Sequence, residues 1–165
     1  MVRKFIAAFL ALTIYISGGI YYTAQAESKY EYNTAKISRD VTDEERQLLY
    51  DIGWAEARGE GKKGIILVIN VIFNRRDCPS FPDTIHGVIF DRQHGVQFSP
   101  TVNGSLARAT PCQYIKDAVQ MALDGADYSQ GATFFRTVTG AEGSWHERAL
   151  KRIFTYGNHH FYVLR

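Results

Sequence analysis

Residues 63 to 73 read Lys-Gly-Ile-Ile-Leu-Val-Ile-Asn-Val-Ile-Phe, a run that is apolar on every side and too long for most strands. Such a segment is stable only at the centre of a core, so it predicts a buried helix with the rest of the chain arranged around it. The β-branched residues make a buried strand the competing reading. A helix is favoured because the run continues without a turn into Asn74-Arg75-Arg76, where cations suit the negative end of a helix dipole. Asn70, alone in the run, is either hydrogen-bonded inside the core or lines a cleft, and the first is the commoner outcome for a buried amide.

A second helix precedes this one. Thr42-Asp43-Glu44-Glu45 fits a capping box, with Thr42 as N-cap and Glu45 three residues on. The helix it opens ends at Glu56 and puts Leu48, Ile52, Ala55 and Glu56 on one face. An acid is thus steered inward. Removing a carboxylate from water raises its pKa, and a glutamate still protonated near neutral pH can give its proton to a leaving oxygen. The ordinary alternative is a solvated or salt-bridged helix residue, with Arg58 as the available partner. The neighbours favour chemistry: Trp54 offers apolar or sugar-stacking area, Ala55 and Ala57 leave space, and Gly59 and Gly61 let a ligand approach the backbone. Glu60 is a second-rank candidate, expected to be exposed between those glycines.

Beyond the central run, Cys78 to Thr84 reads as a turn and Ile85, Val88, Ile89 and Phe90 as a short helix. The loop from Gly95 to Ser105 has the composition of a substrate-side segment. Gln97, Ser99 and Asn103 suit hydrogen bonds to hydroxyl and N-acetyl groups, and Phe98 suits stacking on a sugar ring. Equally, these side chains could bond their own backbone in a polar surface loop. Pro111 to Leu123 is amphipathic and helical, 132–136 is a short strand, and Trp145 to Leu150 is a short helix. Two further strands, 154–156 and 158–163, flank Gly157.

With 45% hydrophobic and 22% charged residues in a chain of 165, one globular domain is expected. Residues 1–26 read as a signal peptide: Arg3-Lys4, an apolar run from Phe5 to Ile20, then Ala24-Gln25-Ala26 as a cleavage site. An uncleaved anchor is the alternative, since the run approaches the roughly 20 residues that span a bilayer. Residues 27–41 form a linker and 42–165 the domain, placing the protein outside the cytoplasm. Removing the leader leaves 17 basic against 17 acidic residues, so nothing calls for nucleic acid. A monomer is expected, with membrane contact only through an uncleaved N-terminus.

Cys78 and Cys112 could pair after export, closing a loop of about 35 residues worth roughly 3 to 4 kcal/mol in the chain-entropy model; two free thiols are the alternative. Both sit in turn-like sequence beside prolines, with no sign of thiol activation. His159, His160, Glu142, His146 and Glu147 invite a metal reading, but no metal-ligand spacing is present and adjacent strand histidines point to opposite faces. No metal or cofactor is expected. A hydrogen-bonding role suits His159 better, and a structural one better still.

Six ordered blocks, Ala55-Glu56-Ala57-Arg58-Gly59-Glu60, the run closing in Asn74-Arg75, Gln97-Phe98-Ser99, Gly131-Ala132-Thr133-Phe134-Phe135, Trp145, and Gly157-Asn158-His159-His160-Phe161-Tyr162, resemble the SleB/CwlJ-like cell wall hydrolases, the spore cortex-lytic family. The resemblance covers about residues 43 to 163. It implies an α+β, lysozyme-like fold, mainly helical with a small β element, and peptidoglycan as substrate. Glu56 takes the place of the catalytic acid, and Trp54, Glu60, Gln97, Phe98, Ser99, Asn103, Phe135, Trp145, Asn158 and His159 become candidate substrate-binding residues. It further implies that some members act as lytic transglycosylases, in which one carboxyl group serves as acid and then base. A hydrolase would need a second carboxylate roughly 5 to 9.5 Å away, and the sequence nominates none among Glu60, Asp124, Asp127 and Glu142. A non-catalytic wall-binding module and an exported metal-dependent amidase are the rival classes.

Overall fold

The computed structural model describes residues 39–93, 95–140 and 143–165. The signal-peptide or anchor segment, most of the linker, and Glu142 lie outside the described residues. Helix α1 (Asp43–Ala57) opens on the expected capping box: the Glu45 amide donates to Thr42 Oγ1 at 3.2 Å, and the Thr42 amide donates to Glu45 Oε2 at 3.0 Å. Helix α2 (Gly61–Arg76) is the central helix that the apolar run predicts, with every residue from Gly64 to Phe73 buried. Helix α1 packs on it through Gly53, where a Cβ would come within 3.3 Å of Ile65 Cγ2. Helix α5 (Gln113–Leu123) adds Ile115, Ala118, Val119, Ala122 and Leu123 to the same core. Between α2 and α5 the chain makes an excursion through two short helices, α3 (Ile85–Ile89) and α4 (Pro100–Asn103), and a 3₁₀ turn, Leu106–Arg108. None of the helices among the described residues is long and apolar enough to cross a membrane.

The buried face of α1 is Leu49, Ile52, Gly53 and Ala57. The expected stripe of Leu48, Ile52, Ala55 and Glu56 is therefore rotated: Leu48, Ala55 and Glu56 are half-buried at its margin. Gly53 is the reason, because a residue without a side chain draws α2 in on its own side of the helix.

One stripe of α2 is polar although it is covered. Asn70 Nδ2 donates to Ala126 O at 3.0 Å and Asn70 Oδ1 accepts from the Tyr128 amide at 3.2 Å. One turn on, Asn74 Nδ2 donates to Ala132 O and Ser129 Oγ, both at 2.8 Å. Arg75 Nε then donates to Thr133 O at 2.6 Å. Spacing of four residues keeps Asn70 and Asn74 on one side of the helix, and with the longer Arg75 side chain they satisfy the backbone of an irregular segment that could not otherwise be buried. That segment leads straight into the sheet.

The sheet has three antiparallel strands in the order β1-β3-β2, with β1 Phe134–Thr137, β2 Leu150–Tyr156 and β3 His159–Leu164. Phe135 pairs with Phe161 and Phe134 with Tyr162. A bulge between Arg152 and Phe154 shifts the side-chain alternation of β2. Phe154 thereby stacks on Phe161, with ring centroids 4.7 Å apart, on the face where Phe135 and Phe161 join the main core, while Arg152 pairs with Tyr162 on the other face. There Phe134, Tyr162, Leu150 and Phe81 form a second cluster, bordered by helix α6 (Trp145–Ala149), whose Trp145 meets Phe134 edge-on. Cys78 and Cys112 are both free, so the expected disulfide is absent; Cys112 is exposed at the start of α5, Cys78 half-buried after α2.

Candidate active site

Glu56 occupies the last turn of α1, one residue before the buried Ala57. Its Oε1 is buried and accepts no hydrogen bond from the protein. Arg58, the expected partner, turns instead to Trp54: its guanidinium lies 4.3 Å from the indole centroid and donates to Trp54 O at 3.4 Å. With no cation among the described residues set against it, burial pushes the Glu56 carboxyl up to about 7. A glutamic acid in this state keeps its proton near neutrality and can release it to a more basic oxygen.

Four residues on, Glu60 has the opposite environment. The chain turns through Gly59, the Glu60 amide donates to Ala57 O at 3.0 Å, and α2 begins at Gly61 with φ +72°. The Glu60 side chain crosses to the turn between β2 and β3, where Oε2 accepts from the Asn158 amide at 3.0 Å and Oε1 from Asn158 Nδ2 at 2.9 Å. Burial raises this carboxyl, but the Asn158 hydrogen bonds and the neighbouring His159 outweigh it and hold it below its ordinary value. Glycine is required on both sides of the strap: a Cβ at Gly157 would overlap Glu60 Oε2, and one at Gly64 would overlap Glu60 Cβ. The expectation of an exposed Glu60 is thus corrected; its two oxygens are engaged. Two carboxyls four residues apart in sequence whose environments push their pKa values in opposite directions have the pattern of an acid and a fixed anion.

His159 follows Asn158 and is buried, its ring edge-on to Phe135 at 5.2 Å. Burial pushes its pKa down against the pull of Glu60, which favours the neutral ring. His160, on the other side of the strand, hydrogen-bonds Thr155 Oγ1 at 2.7 Å. Among the described residues no group of three His, Cys, Asp or Glu is arranged to hold a metal ion.

The 95–105 loop departs most from expectation. Phe98 is 1% exposed and packs 5.9 Å from Phe135, so it is a core residue and not a stacking platform. Phe135 is likewise buried in the core. Gln97 spends its amide internally, Oε1 accepting from Arg75 Nη2 at 3.0 Å and Nε2 donating to Phe135 O at 2.9 Å. Asn103 caps its own turn by accepting from the Ser105 amide, and Ser99 is exposed at the start of α4. Of the loop residues chosen from composition, none reaches across to Glu60 or Asn158 by a hydrogen bond. Trp54 is half-buried under Arg58, whereas Trp145 is 50% exposed.

Arg75 is the buried residue that composition hid. It is 1% exposed, and its guanidinium lies between the rings of Phe81 and Phe134, 4.7 and 4.5 Å from their centroids. Burial pushes its pKa down to about 10, with Asp91 acting in the other direction. At the end of an apolar helix, an arginine reads as a solvated cap; the signal against this is that aromatic residues and a free backbone carbonyl must meet it in space, which sequence does not display.

Residues 59–162 match the family model described as Cell Wall Hydrolase. The chain belongs to the cell wall hydrolase family. Among its curated relatives, a spore cortex-lytic enzyme of Halalkalibacterium halodurans is 38% identical over 84% of this chain and 40% of its own length. A corresponding Bacillus cereus enzyme is 30% identical over 78% of this chain and 47% of its own. The chain thus spans less than half the length of these relatives. The catalytic domain of the germination-specific lytic transglycosylase SleB of Bacillus anthracis superposes with TM-score 0.65 at 28% identity, covering 76% of this chain and 98% of that one. The α+β, lysozyme-like architecture that the resemblance implies is therefore the one found. The matched family span begins three residues after Glu56, so the environment of Glu56 speaks for itself.

Proposed function

We propose that this cell wall hydrolase cleaves the glycan strand of peptidoglycan between N-acetylmuramic acid and N-acetylglucosamine as a lytic transglycosylase, with Glu56 as its single acid and base. The observation that carries the reading is the Glu56 carboxyl, its Oε1 buried without a hydrogen bond and its pKa pushed up to about 7 by burial. Glu56 protonates the glycosidic oxygen; its carboxylate then takes the proton of the 6-hydroxyl of N-acetylmuramic acid as that oxygen closes on C1, giving a 1,6-anhydro sugar. A hydrolase would need a second free carboxylate, and Glu60, the nearest in sequence, has both oxygens committed to Asn158. Relatives titled as spore cortex-lytic and lytic transglycosylase enzymes support the same substrate class. Action outside the cytoplasm fits the leader-like residues 1–26, followed by a linker and the domain from residue 42.

The test is product analysis. Mass spectrometry of digested sacculi should find anhydro ends, and Glu56→Gln should give a folded, inactive protein. Reducing ends alone would assign hydrolysis instead, and release of peptide amines would assign an amidase.

A further inference from the structure

Glu56 lies in the last turn of α1, where carbonyl groups lack intrahelical partners and helices fray. Its Oε1 accepts no hydrogen bond among the described residues, so no bond to that oxygen fixes the acid, and its reach is set by the backbone that carries it. That backbone is held just beyond the helix from three directions. From within, the Glu60 amide donates to Ala57 O at 3.0 Å, which bonds Glu60 to the residue next to the acid. From α5, Tyr114 Oη accepts from the Lys62 amide at 2.8 Å, and Asp117 Oδ2 accepts from Lys62 Nζ at 3.2 Å. From the sheet, Asn158 gives both its main-chain N–H and its Nδ2 to the two oxygens of Glu60. Asn158 is itself anchored, because its carbonyl oxygen accepts from the Val138 amide at 2.8 Å just past β1. The sheet end of the strap is thus a fixed point.

The chemistry of the strap asks for a carboxylate. Asn158 presents two donors, and a carboxylate meets both with acceptors, whereas an amide would meet one and set its own N–H₂ against the other. Bonds to an ionised acceptor are also the stronger kind. Room for the crossing comes from Gly157 and Gly64, where a Cβ would overlap the Glu60 side chain. We propose that Glu60 is a positioning residue for Glu56: its two bonds to Asn158 lock the end of α1 against the sheet and so set where the Glu56 carboxyl meets the glycosidic oxygen. Glu60 itself neither gives nor takes a proton. The inference rests on the reading of Glu56 as the acid and adds what holds it in range. Proton transfer needs hydrogen-bond distance, and a misplacement of about 1 Å can cost roughly a hundredfold in rate.

The test separates kcat from KM on soluble glycan strands, using the whole chain and counting cleaved ends. Glu60→Ala should lower kcat about a hundredfold with KM little changed, and Glu60→Gln, which keeps one of the two bonds, about tenfold. Asn158→Ala should lower kcat in the parent protein but add nothing to Glu60→Ala, since the two side chains act as one unit. Val119→Ala, a truncation in the core face of α5, supplies the comparison: it lowers the denaturation midpoint and should leave kcat intact. Should Glu60→Ala prove unfolded, Glu60→Gln and Asn158→Ala carry the same test. A Glu60→Gln protein with the parent kcat, or a loss in KM alone, overturns the proposal. So does recovery of Glu60→Ala by sodium azide, which would make Glu60 a reacting carboxylate. An active Glu56→Gln protein would overturn the acid itself, whereas an inactive one beside fully active Glu60 variants would remove only the strap's role.

Discussion

Replacing Glu56 by glutamine should stabilise the protein in alkaline solution relative to whatever fixed difference the substitution makes in acid. The carboxyl titrates near 7 in the folded state against an ordinary value of 4.5. Below pH 4.5 both folded and unfolded chains carry the proton, and the acid and its amide differ by a constant. Between 4.5 and 7 the folded state holds a proton that the unfolded state has lost, so stability falls as pH rises. Above 7 the fall is complete, and at about 1.4 kcal/mol for each pH unit it amounts to roughly 3 kcal/mol. Glutamine cannot ionise and escapes this loss. Urea denaturation of both proteins from pH 4 to 8 should show the variant gaining about 3 kcal/mol over that window, or roughly 10 °C in melting temperature for a domain of this size. A stability difference that is flat with pH would falsify the claim that burial keeps Glu56 protonated. The same ionisation predicts that activity declines above pH 7.

Two further substitutions probe the supports. Gly157→Ala places a methyl group where Glu60 Oε2 sits, at φ +52°; breaking the strap should cost about 3 kcal/mol, whereas Glu60→Gln, which keeps an acceptor for the Asn158 amide, should cost distinctly less in the same denaturation series. Arg75→Met strips donors from Thr133 O and Gln97 Oε1 and should cost about 3 kcal/mol; a melting curve that matches the parent protein would mean that the guanidinium contributes nothing net.

Periodicity made the helical half of the fold legible. The all-apolar run, read as a helix against a competing strand, is α2; the Thr42–Glu45 box marked the start of α1, and Gly157 the turn between β2 and β3. What escaped was contact at long range. Gln97, Phe98 and Asn103 have the residue types of a sugar-binding loop, yet Gln97 is consumed by Arg75 and Phe135, Phe98 fills the core, and Asn103 serves its own turn. Composition cannot tell a side chain that waits for a ligand from one already satisfied by the protein. Glu60 shows the same thing: its flanking glycines suggested exposure, but two other glycines, Gly64 and Gly157, leave the room through which its side chain reaches Asn158. For Glu56, spacing put the acid on the apolar stripe with Leu48, Ile52 and Ala55, and the structure sets it at the margin of the buried face with Oε1 buried. The cysteines illustrate the limit of an argument from compartment, since pairing also needs the two Cβ atoms to approach.

The polar stripe of α2 has an engineering consequence. Because Asn70, Asn74 and Arg75 grip the approach to β1 directly, the sheet is tied to the central helix by those bonds, and the excursion between Arg76 and Gln113 adds Gln97 and Phe81 to the same joint. Extra residues spliced at the exposed Pro79-Ser80 tip would leave the bonds from α2 to the approach to β1 untouched. A reporter or affinity module could be carried there while the catalytic half of the molecule stays in register.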